Sequence, residues 1–250
     1  MLLNEFDYIA NAEQGIEAFI KNYLNQPQAG SEPITYPYFY YSTVNTGQPS
    51  PFDLDNSGVA TGVGADAWGF GFYPGQYGMV ILSKYPIDYD SVRTIQHFKW
   101  RDMPGFMPTY KEDGSPWYSE AAWQQMPLSS KSHWDVPIKV GNTKVHILAS
   151  HPTPPVFDGP ENRNGIRNHD EIRFWLDYLT PGNAGYIYDD NNNKGGLVAD
   201  SRFVLLGDLN ASADGDGDAI NSAIKALVSH QRINQSFTPA SAGAAQNSPG

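Results

Sequence analysis

A short apolar strand that runs straight into a polar turn is the feature that most restricts how this chain can fold. Residues 203–206 (Phe-Val-Leu-Leu) are wholly apolar, which is typical of a strand buried on both faces. Gly207, Asp208, Leu209 and Asn210 follow at once. Asp and Asn also favour ordinary turns, because their side chains bond to nearby backbone groups. We favour a functional turn here, since an apolar strand followed directly by Gly-Asp-x-Asn is uncommon by chance.

Two other apolar runs end in polar side chains in the same way. Residues 2–3 lead to Glu5, and residues 147–149 lead to His151. Functional side chains of layered α/β folds often project from strand ends, where a rigid sheet fixes their position. A carboxylate there suits a hard divalent cation, and an imidazole can hold a phosphoryl oxygen or relay a proton. Taken alone, Glu5 also fits a solvated carboxylate, and His151, which precedes Pro152, also fits a plain strand end.

Hydrophobic periodicity predicts the remaining helices and strands. Helical spacing predicts one helix through residues 16–24 and another through residues 172–179. A last helix is expected at about 218–230, followed by a loop-like tail from 236 to 250. The apolar positions on these helices are Ile16, Phe19, Ile20, Tyr23, Leu24, Ile172, Trp175, Leu176, Leu179, Ile220, Ile224, Leu227 and Val228.

The predicted strands alternate with these helices around long loops. Strands are expected at residues 36–41 and 77–83, and a hairpin joins residues 136–140 to 145–150 through Gly141 and Asn142. Residues 25–76 are rich in Pro, Gly, Asn and Ser and are expected to be surface loops. Residues 100–133 are expected to form a loop-rich insertion. The pattern predicts an α/β layered sandwich that forms a single domain over residues 1–250.

The composition narrows the classes of partner. The formal net charge of −11 disfavours an extended nucleic acid and favours a small phosphorylated substrate, because a negative protein repels a polyanion at long range. No run of about 18 apolar residues is present, so no membrane span is expected. Zero cysteines exclude disulfides, thiolate catalysis and cysteine-bound zinc. High Tyr, Trp, Pro, Gly and Asn with little Lys is typical of secreted bacterial enzymes, so we expect an extracellular or periplasmic, monomeric protein.

Four motifs in this order resemble those of the endonuclease/exonuclease/phosphatase superfamily. They are the Gly-Asp-x-Asn turn with Asp208 and Asn210, the strand end at Ser150-His151, the opening strand at Asn4-Glu5, and the Gly-Met-Val-Ile-Leu-Ser-Lys-Tyr-Pro-Ile run of residues 78–87. The resemblance covers residues 1 to about 215, and its long insertions are similar to a bacterial, often secreted branch. It implies the αββα sandwich of this superfamily and metal-dependent hydrolysis of phosphoesters.

The resemblance also implies a role for each matching residue. Glu5 is expected to be a ligand of Mg²⁺ or Mn²⁺, with Ca²⁺ as a further possibility. His151 is expected to contact the phosphate as an electrophile or proton donor, and Asp208 to orient or deprotonate the attacking water. Asn210 is expected to bind phosphate or metal. Hydrolysis by in-line attack would then proceed with the metal offsetting charge on the phosphoryl oxygens.

Two elements of the family pattern are not found in this sequence. The family opens with a strand bearing a metal-site asparagine before the glutamate, and it closes with a Ser-Asp-His motif that carries the usual general base. This chain begins at the Glu5 strand, and its last histidine is His230 in Ser-His-Gln. We therefore expect a domain incomplete at both termini whose activity is weak or absent, because losing a general base costs orders of magnitude in rate.

Several other groups have two open interpretations. Arg163 and Arg167, and His133 beside Lys131, either meet substrate phosphates or lie on the surface, and arginine suits phosphate by its bidentate geometry. Asp53-Leu-Asp55 resembles the start of a calcium loop, but an EF-hand is rejected because Gly64 stands where a glutamate is required. The acidic repeat of residues 214–218 is favoured as a helix-capping turn over a Ca²⁺ site.

Three functions remain open at this point. The leading one is a Mg²⁺- or Mn²⁺-dependent phosphoesterase that acts on small or extracellular phosphoesters. A nuclease acting on DNA or RNA uses the same chemistry and is disfavoured by the acidic charge. A non-catalytic binding module that keeps the fold without a complete site is the alternative from another class.

Overall fold

The computed structural model describes residues 1–214, 220–236 and 241–247, and it contains two β-sheets packed between helices. The predicted αββα sandwich is therefore confirmed. The strands are β1 Leu2–Asn4, β2 Tyr38–Tyr40, β3 Met79–Ser83, β4 Arg93–Ile95, β5 His133–Val140, β6 Thr143–Ser150 and β7 Arg202–Leu206. The α-helices are α1 Ile16–Phe19, α2 Glu120–Trp123, α3 Arg163–Leu179, α4 Ser222–Val228 and α5 Ala242–Asn247. Short 3₁₀ turns occur at Tyr89–Ser91, Trp100–Asp102 and Ala184–Tyr186, and a π-helical turn at Ile20–Leu24 continues α1.

The first sheet has the strand order β1-β3-β2 and is antiparallel throughout. Its central strand, β3, is buried along its whole length, as the apolar run predicts. Successive side chains of a strand point to opposite faces, so Val80 and Leu82 pack outward against Ile16 of α1. Met79 and Ile81 pack inward against the second sheet.

The second sheet has the order β4-β5-β6-β7. The predicted hairpin is confirmed, with Val140 paired to Thr143 across the turn at Gly141 and Asn142. β7 runs parallel to β6, and α3 lies in the connection between them. Because β5 is antiparallel to β6, the first residues of β5 and the last residues of β6 and β7 lie at the same end of the sheet.

Two apolar layers hold the sandwich together. Between the sheets, Trp134 and Val136 of β5 pack with Ile147 and Ala149 of β6 and with the inner side of β3. On the other side of the second sheet, α3 and α4 cover a larger cluster that includes Trp100 and several aromatic residues of α3. In the described part of the chain, no helix is long and apolar enough to cross a membrane.

The prediction that residues 203–206 are buried on both faces is wrong. β7 is at the edge of its sheet and hydrogen-bonds only to β6 among the described strands, and Val204 is 45% exposed. Phe203 and Leu205 pack against the cluster under α3 and α4, whereas Leu206 meets the layer between the sheets. An apolar run thus predicts a strand without fixing how much of each face is covered.

Three other predictions need correction. Tyr23 is 60% exposed, because the π-helical turn at Ile20–Leu24 departs from the spacing of 3.6 residues per turn that placed this side chain on the buried face. The tail contains α5, where a loop was expected. The loops of residues 25–76 are not only surface, since Val44 and Leu54 are buried in the core. The final predicted helix is present as α4, and its expected start at Asp218 lies outside the described residues.

Candidate active site

Glu5 stands directly after β1, at the point where the first sheet ends. Asn4 is the last residue of β1 and pairs with Met79, and Glu5 has a φ of 59°, in the left-handed region. The next residue is held by a hydrogen bond from the Phe6 N–H to the carbonyl of Gly78 (3.0 Å). A Cβ at Gly78 would lie 2.7 Å from the Phe6 carbonyl oxygen, so this close approach requires glycine. The tight turn leaves Glu5 exposed, and its carboxylate accepts no hydrogen bond from the residues that the structure describes.

The turn after β7 lies against the end of β6. A Cβ on Gly207 would be 2.1 Å from the carbonyl oxygen of Ser150, so only glycine permits this approach. The side chain of Asn210 donates to the carbonyl of Pro152 (3.1 Å), and its N–H donates to Asp208 Oδ1 (3.0 Å). These contacts bring the Asp208 turn next to His151, as the parallel pairing of β6 and β7 predicts.

Asn168 of α3 hydrogen-bonds to both the loop after β6 and the turn after β7. Its Nδ2 group donates to the carbonyls of Thr153 (2.8 Å) and Leu209 (2.9 Å), and the side chain is fully buried. A single amide therefore fixes the distance between the segment that carries His151 and the segment that carries Asp208. Nothing in the sequence pattern singled out this residue.

Lys131 brings the three predicted groups into one electrostatic cluster. It is 5% exposed and lies two residues before β5 begins, at the edge where β6 and β7 end. Burial lowers the pKa of Lys131 to about 8, against the charges of Glu171, Glu5 and Asp208, which raise it. Lys131 in turn lowers the pKa of His151. The charges of Glu5 and Asp208 thus act on Lys131, and the charge of Lys131 acts on His151, although these residues are far apart in the sequence.

His151 is held in its neutral form. Burial lowers the pKa of its ring to about 4; Lys131 acts in the same direction, and Asp208 opposes it. The Nδ1 atom is buried without a hydrogen-bond partner in the described part of the chain. A neutral imidazole at this position can donate a hydrogen bond through one ring nitrogen and accept one through the other.

Glu171 of α3 is a buried carboxylate that binds two of the segments that form the cluster. Its side chain is fully buried, and its Oε1 accepts hydrogen bonds from the Ser130 N–H (2.7 Å) and hydroxyl (3.1 Å). Its Oε2 accepts from the Thr153 N–H (2.6 Å). The two bound segments are those that carry Lys131 and His151, so one carboxylate positions both.

The other predicted contacts to substrate have different surroundings. Arg167 is buried, and its guanidinium donates to the carbonyls of Leu128, Trp68 and Pro127. Its donors therefore hold loops together. His133 is also buried, and its Nε2 lies 2.9 Å from the Glu171 carbonyl oxygen. The surface position considered for both side chains is not found.

Arg163 is at the start of α3 and remains partly exposed. Its guanidinium pairs with Glu161, donates to the Phe157 carbonyl (3.3 Å) and lies over the ring of Trp117 (5.3 Å to the centroid). Glu161 and Trp117 also line an open cavity of about 520 Å³, together with Tyr110 and its neighbours. The lining does not include Glu5, His151 or Asp208.

A separate acidic cluster forms where the calcium-loop resemblance was rejected. Carboxylate oxygens of Asp53, Asp55 and Asp66 lie within 4.8 Å of one another and could hold a metal ion. The third carboxylate of this cluster is thus Asp66, whereas the EF-hand pattern requires a glutamate at the position of Gly64. Each of the three carboxylates accepts hydrogen bonds from backbone groups of its own loop, so the loop closes without an ion. For the second acidic repeat, residues 215–218 lie outside the described part of the chain.

Comparison with known proteins assigns the chain to a family. The model of the Endonuclease/Exonuclease/phosphatase family matches residues 1–244. The chain belongs to this family. Among solved structures, it is similar to sphingomyelinase C from Streptomyces griseocarneus, with a TM-score of 0.41 and 18% sequence identity over 91% of this chain. It spans 55% of the length of that protein. No curated protein matches it.

Members of the endonuclease/exonuclease/phosphatase family hydrolyse phosphoesters. Three of the four motifs that carried the resemblance lie at strand ends in this chain, and the fourth, residues 78–87, contains strand β3. Sequence reasoning missed the buried position of Lys131 and the supporting roles of Glu171 and Asn168. The hairpin register contained a signal for the first of these. His133 pairs with Ser150 at the end of the hairpin, so Lys131, two residues before His133, is expected near His151, which follows Ser150.

Proposed function

We propose that this chain carries the active site of a divalent-metal-dependent phosphoesterase, built from Glu5, His151, Asp208 and Asn210. The observation that carries the proposal is that β6 and β7 end side by side, where Asn168 ties the segment of His151 to the segment of Asp208. Glu171 ties the segment of Lys131 to the same place. An amide and a cation at one site suit a phosphoryl group, whose oxygens need both hydrogen-bond donors and charge compensation, and carboxylates suit a divalent cation.

The residues at the end of β1 fit a hard divalent cation such as Mg²⁺ or Mn²⁺. Glu5 is exposed, and the neighbouring Asn4 has an Oδ1 atom that is buried without a partner among the described residues. Both are oxygen donors, which is the ligand type that these ions prefer. Glu5 would hold the ion, which when bound offsets charge on a phosphoryl oxygen and lowers the pKa of bound water.

The remaining groups act on the substrate and the attacking water. His151, neutral at physiological pH, donates a hydrogen bond to a phosphoryl oxygen. Asp208 is exposed at the edge of the cluster, where its carboxylate orients a water molecule and accepts its proton. Asn210, fixed by its bond to the Pro152 carbonyl, holds the Asp208 turn and lies within the same site. Arg163, beside its separate cavity, contributes to substrate binding only if the substrate extends that far.

The net charge of −11 favours small or extracellular phosphoesters over nucleic acid, for the same electrostatic reason as above. An extracellular or periplasmic location remains our prediction from composition, and a monomer remains a separate expectation. A nuclease and a non-catalytic binding module are the alternative outcomes of the following test.

The test is phosphate release from p-nitrophenyl phosphate, its bis ester, nucleotides and plasmid DNA, each with Mg²⁺, Mn²⁺ or EDTA. Asp208→Asn is compared with wild type, and Asp90→Asn is the matched control, because Asp90 is exposed in a distant 3₁₀ turn. We expect weak metal-dependent turnover that EDTA and Asp208→Asn abolish and Asp90→Asn preserves. Faster cleavage of plasmid DNA than of the small esters would support the nuclease. No turnover on any substrate would favour the binding module.

A further inference from the structure

Lys131 is a largely buried lysine whose ammonium group has no bonding partner among the described residues. The residue is 5% exposed, and within the described ranges its ammonium group makes neither an ion pair nor a hydrogen bond. A buried charge is costly unless it is paired, so lysine is almost never buried in this state for structural reasons alone. Glu171, the carboxylate with the largest effect on Lys131, is itself occupied by the Ser130 and Thr153 donors.

The backbone around Lys131 is fixed in place. Its carbonyl accepts a hydrogen bond from the Asn45 N–H (3.0 Å), and its N–H donates to the Ser129 hydroxyl (3.3 Å). The next-door residue, Ser130, is bound to Glu171 through both its N–H and its hydroxyl. A side chain that starts from so well-anchored a backbone is preorganised, and the ordering cost of binding a ligand is reduced accordingly.

The ammonium group also lies where a substrate would be held. Lys131 precedes β5 at the end of the sheet where β6 and β7 also end. Glu171 binds the N–H groups of Ser130 and Thr153, so the segment of Lys131 is held beside the segment of His151. An ammonium group is a compact donor of three hydrogen bonds, and it suits a phosphoryl oxygen as a point charge. A phosphoryl group bound here would supply the counter-charge that no described residue provides through direct contact.

We propose that Lys131 is a substrate-contacting residue of this site, whose ammonium group binds a non-bridging oxygen of the phosphoryl group. The inference rests on the proposed phosphoesterase function and adds to it a residue that the family motifs in this sequence do not include. In the reaction, the lysine offsets the negative charge that the phosphoryl oxygens carry as the water attacks and the ester bond breaks.

Inorganic phosphate is the probe that tests this role apart from turnover. Its binding in the presence of Mg²⁺ is measured by calorimetry for wild type, Lys131→Met, Lys131→Gln and the control Lys21→Met. Lys21 is an exposed lysine of the π-helical turn outside the first sheet. We expect the two neutral Lys131 variants to bind phosphate about tenfold to a hundredfold more weakly, the range for one hydrogen bond to a charged group. Lys21→Met should bind like wild type.

Thermal melting separates a substrate contact from a structural role. Because burial disfavours the charged lysine, both neutral variants should melt at or above the wild-type temperature. Unchanged phosphate binding in these variants, or no binding by wild type, would overturn the proposal. So would a marked loss of melting temperature in both, since this would make the lysine structural. Wild type that binds phosphate through Lys131 but hydrolyses no ester would refute the proposed function and leave Lys131 as a phosphate-binding residue only.

Discussion

Replacing Glu171 with alanine should destabilise the protein more than removal of any surface carboxylate. The substitution leaves two buried backbone N–H groups, those of Ser130 and Thr153, without an acceptor. Each unsatisfied buried donor costs about 1–3 kcal/mol, so the expected loss is about 2–6 kcal/mol before any cavity term. A domain is stable by only about 5–15 kcal/mol, so this loss is a large part of the total.

Glu171→Gln should give an intermediate loss. One oxygen acceptor remains, but an amide NH₂ group then faces the second N–H, so roughly one of the two donors is left unsatisfied. Glu120→Gln is the matched control, because Glu120 is exposed and bonds only to Gln124 in the same helix (2.8 Å). Exposed substitutions of this kind change stability by about 0.5 kcal/mol or less.

Urea unfolding followed by tryptophan fluorescence measures the order of these losses, since Trp175 is buried in the same helix as Glu171. The expected ranking is Glu171→Ala, then Glu171→Gln, then the control. A loss below about 1 kcal/mol for Glu171→Ala would refute the argument, because it would mean that water or a neighbouring group replaces the carboxylate at no cost.

Two further predictions concern the ends of the second sheet and its surface. Gly207→Ala should lower both melting temperature and activity, because the new Cβ would lie 2.1 Å from a backbone oxygen, whereas Gly185→Ala, with open space around it, should do neither. The second prediction concerns His97, whose pKa is raised above 6.5 by the hydrogen bond between its ring and Asp190. Proton NMR of His97 should therefore show a titration midpoint above 6.5, and this midpoint should fall in Asp190→Asn. The stabilising effect of the charged His97 is then complete below pH 6.5 and is lost as the pH rises through the folded-state pKa. A titration midpoint that is the same in Asp190→Asn and wild type would contradict this prediction.

The sequence predicted those parts of the molecule that depend on local periodicity. The hairpin followed from two alternating runs around Gly141 and Asn142, and the two-residue turn left a single register for the pairing. The placement of Asp208 and His151 at strand ends followed in the same way, since each stands within two residues of the end of a strand that contains an apolar run.

The interior of α3 could not be predicted by the same reasoning. Helical periodicity places polar side chains in water, yet Arg167, Asn168, Asp170 and Glu171 are all buried. Their burial depends on carbonyl and N–H groups of loops that have no periodic pattern, so only the tertiary structure shows which donors and acceptors meet. Lys131 was overlooked for a related reason, because a lysine beside serines in a loop-rich segment has the composition of a surface.

The buried polar side of α3 also affects the order in which the protein can fold. Asp170 accepts hydrogen bonds from the Trp100 indole (2.7 Å) and the Met107 N–H (2.9 Å), while Glu171 and Asn168 bind other loops. If α3 packed against the sheet before these loops were in place, several of its polar side chains would be buried without a hydrogen-bond partner. We therefore expect the helix and the loops to fold in one step. We therefore expect the amides of α3 to exchange with solvent only through global unfolding. The active site would then exist in the native state alone, with no partly folded species that retains it.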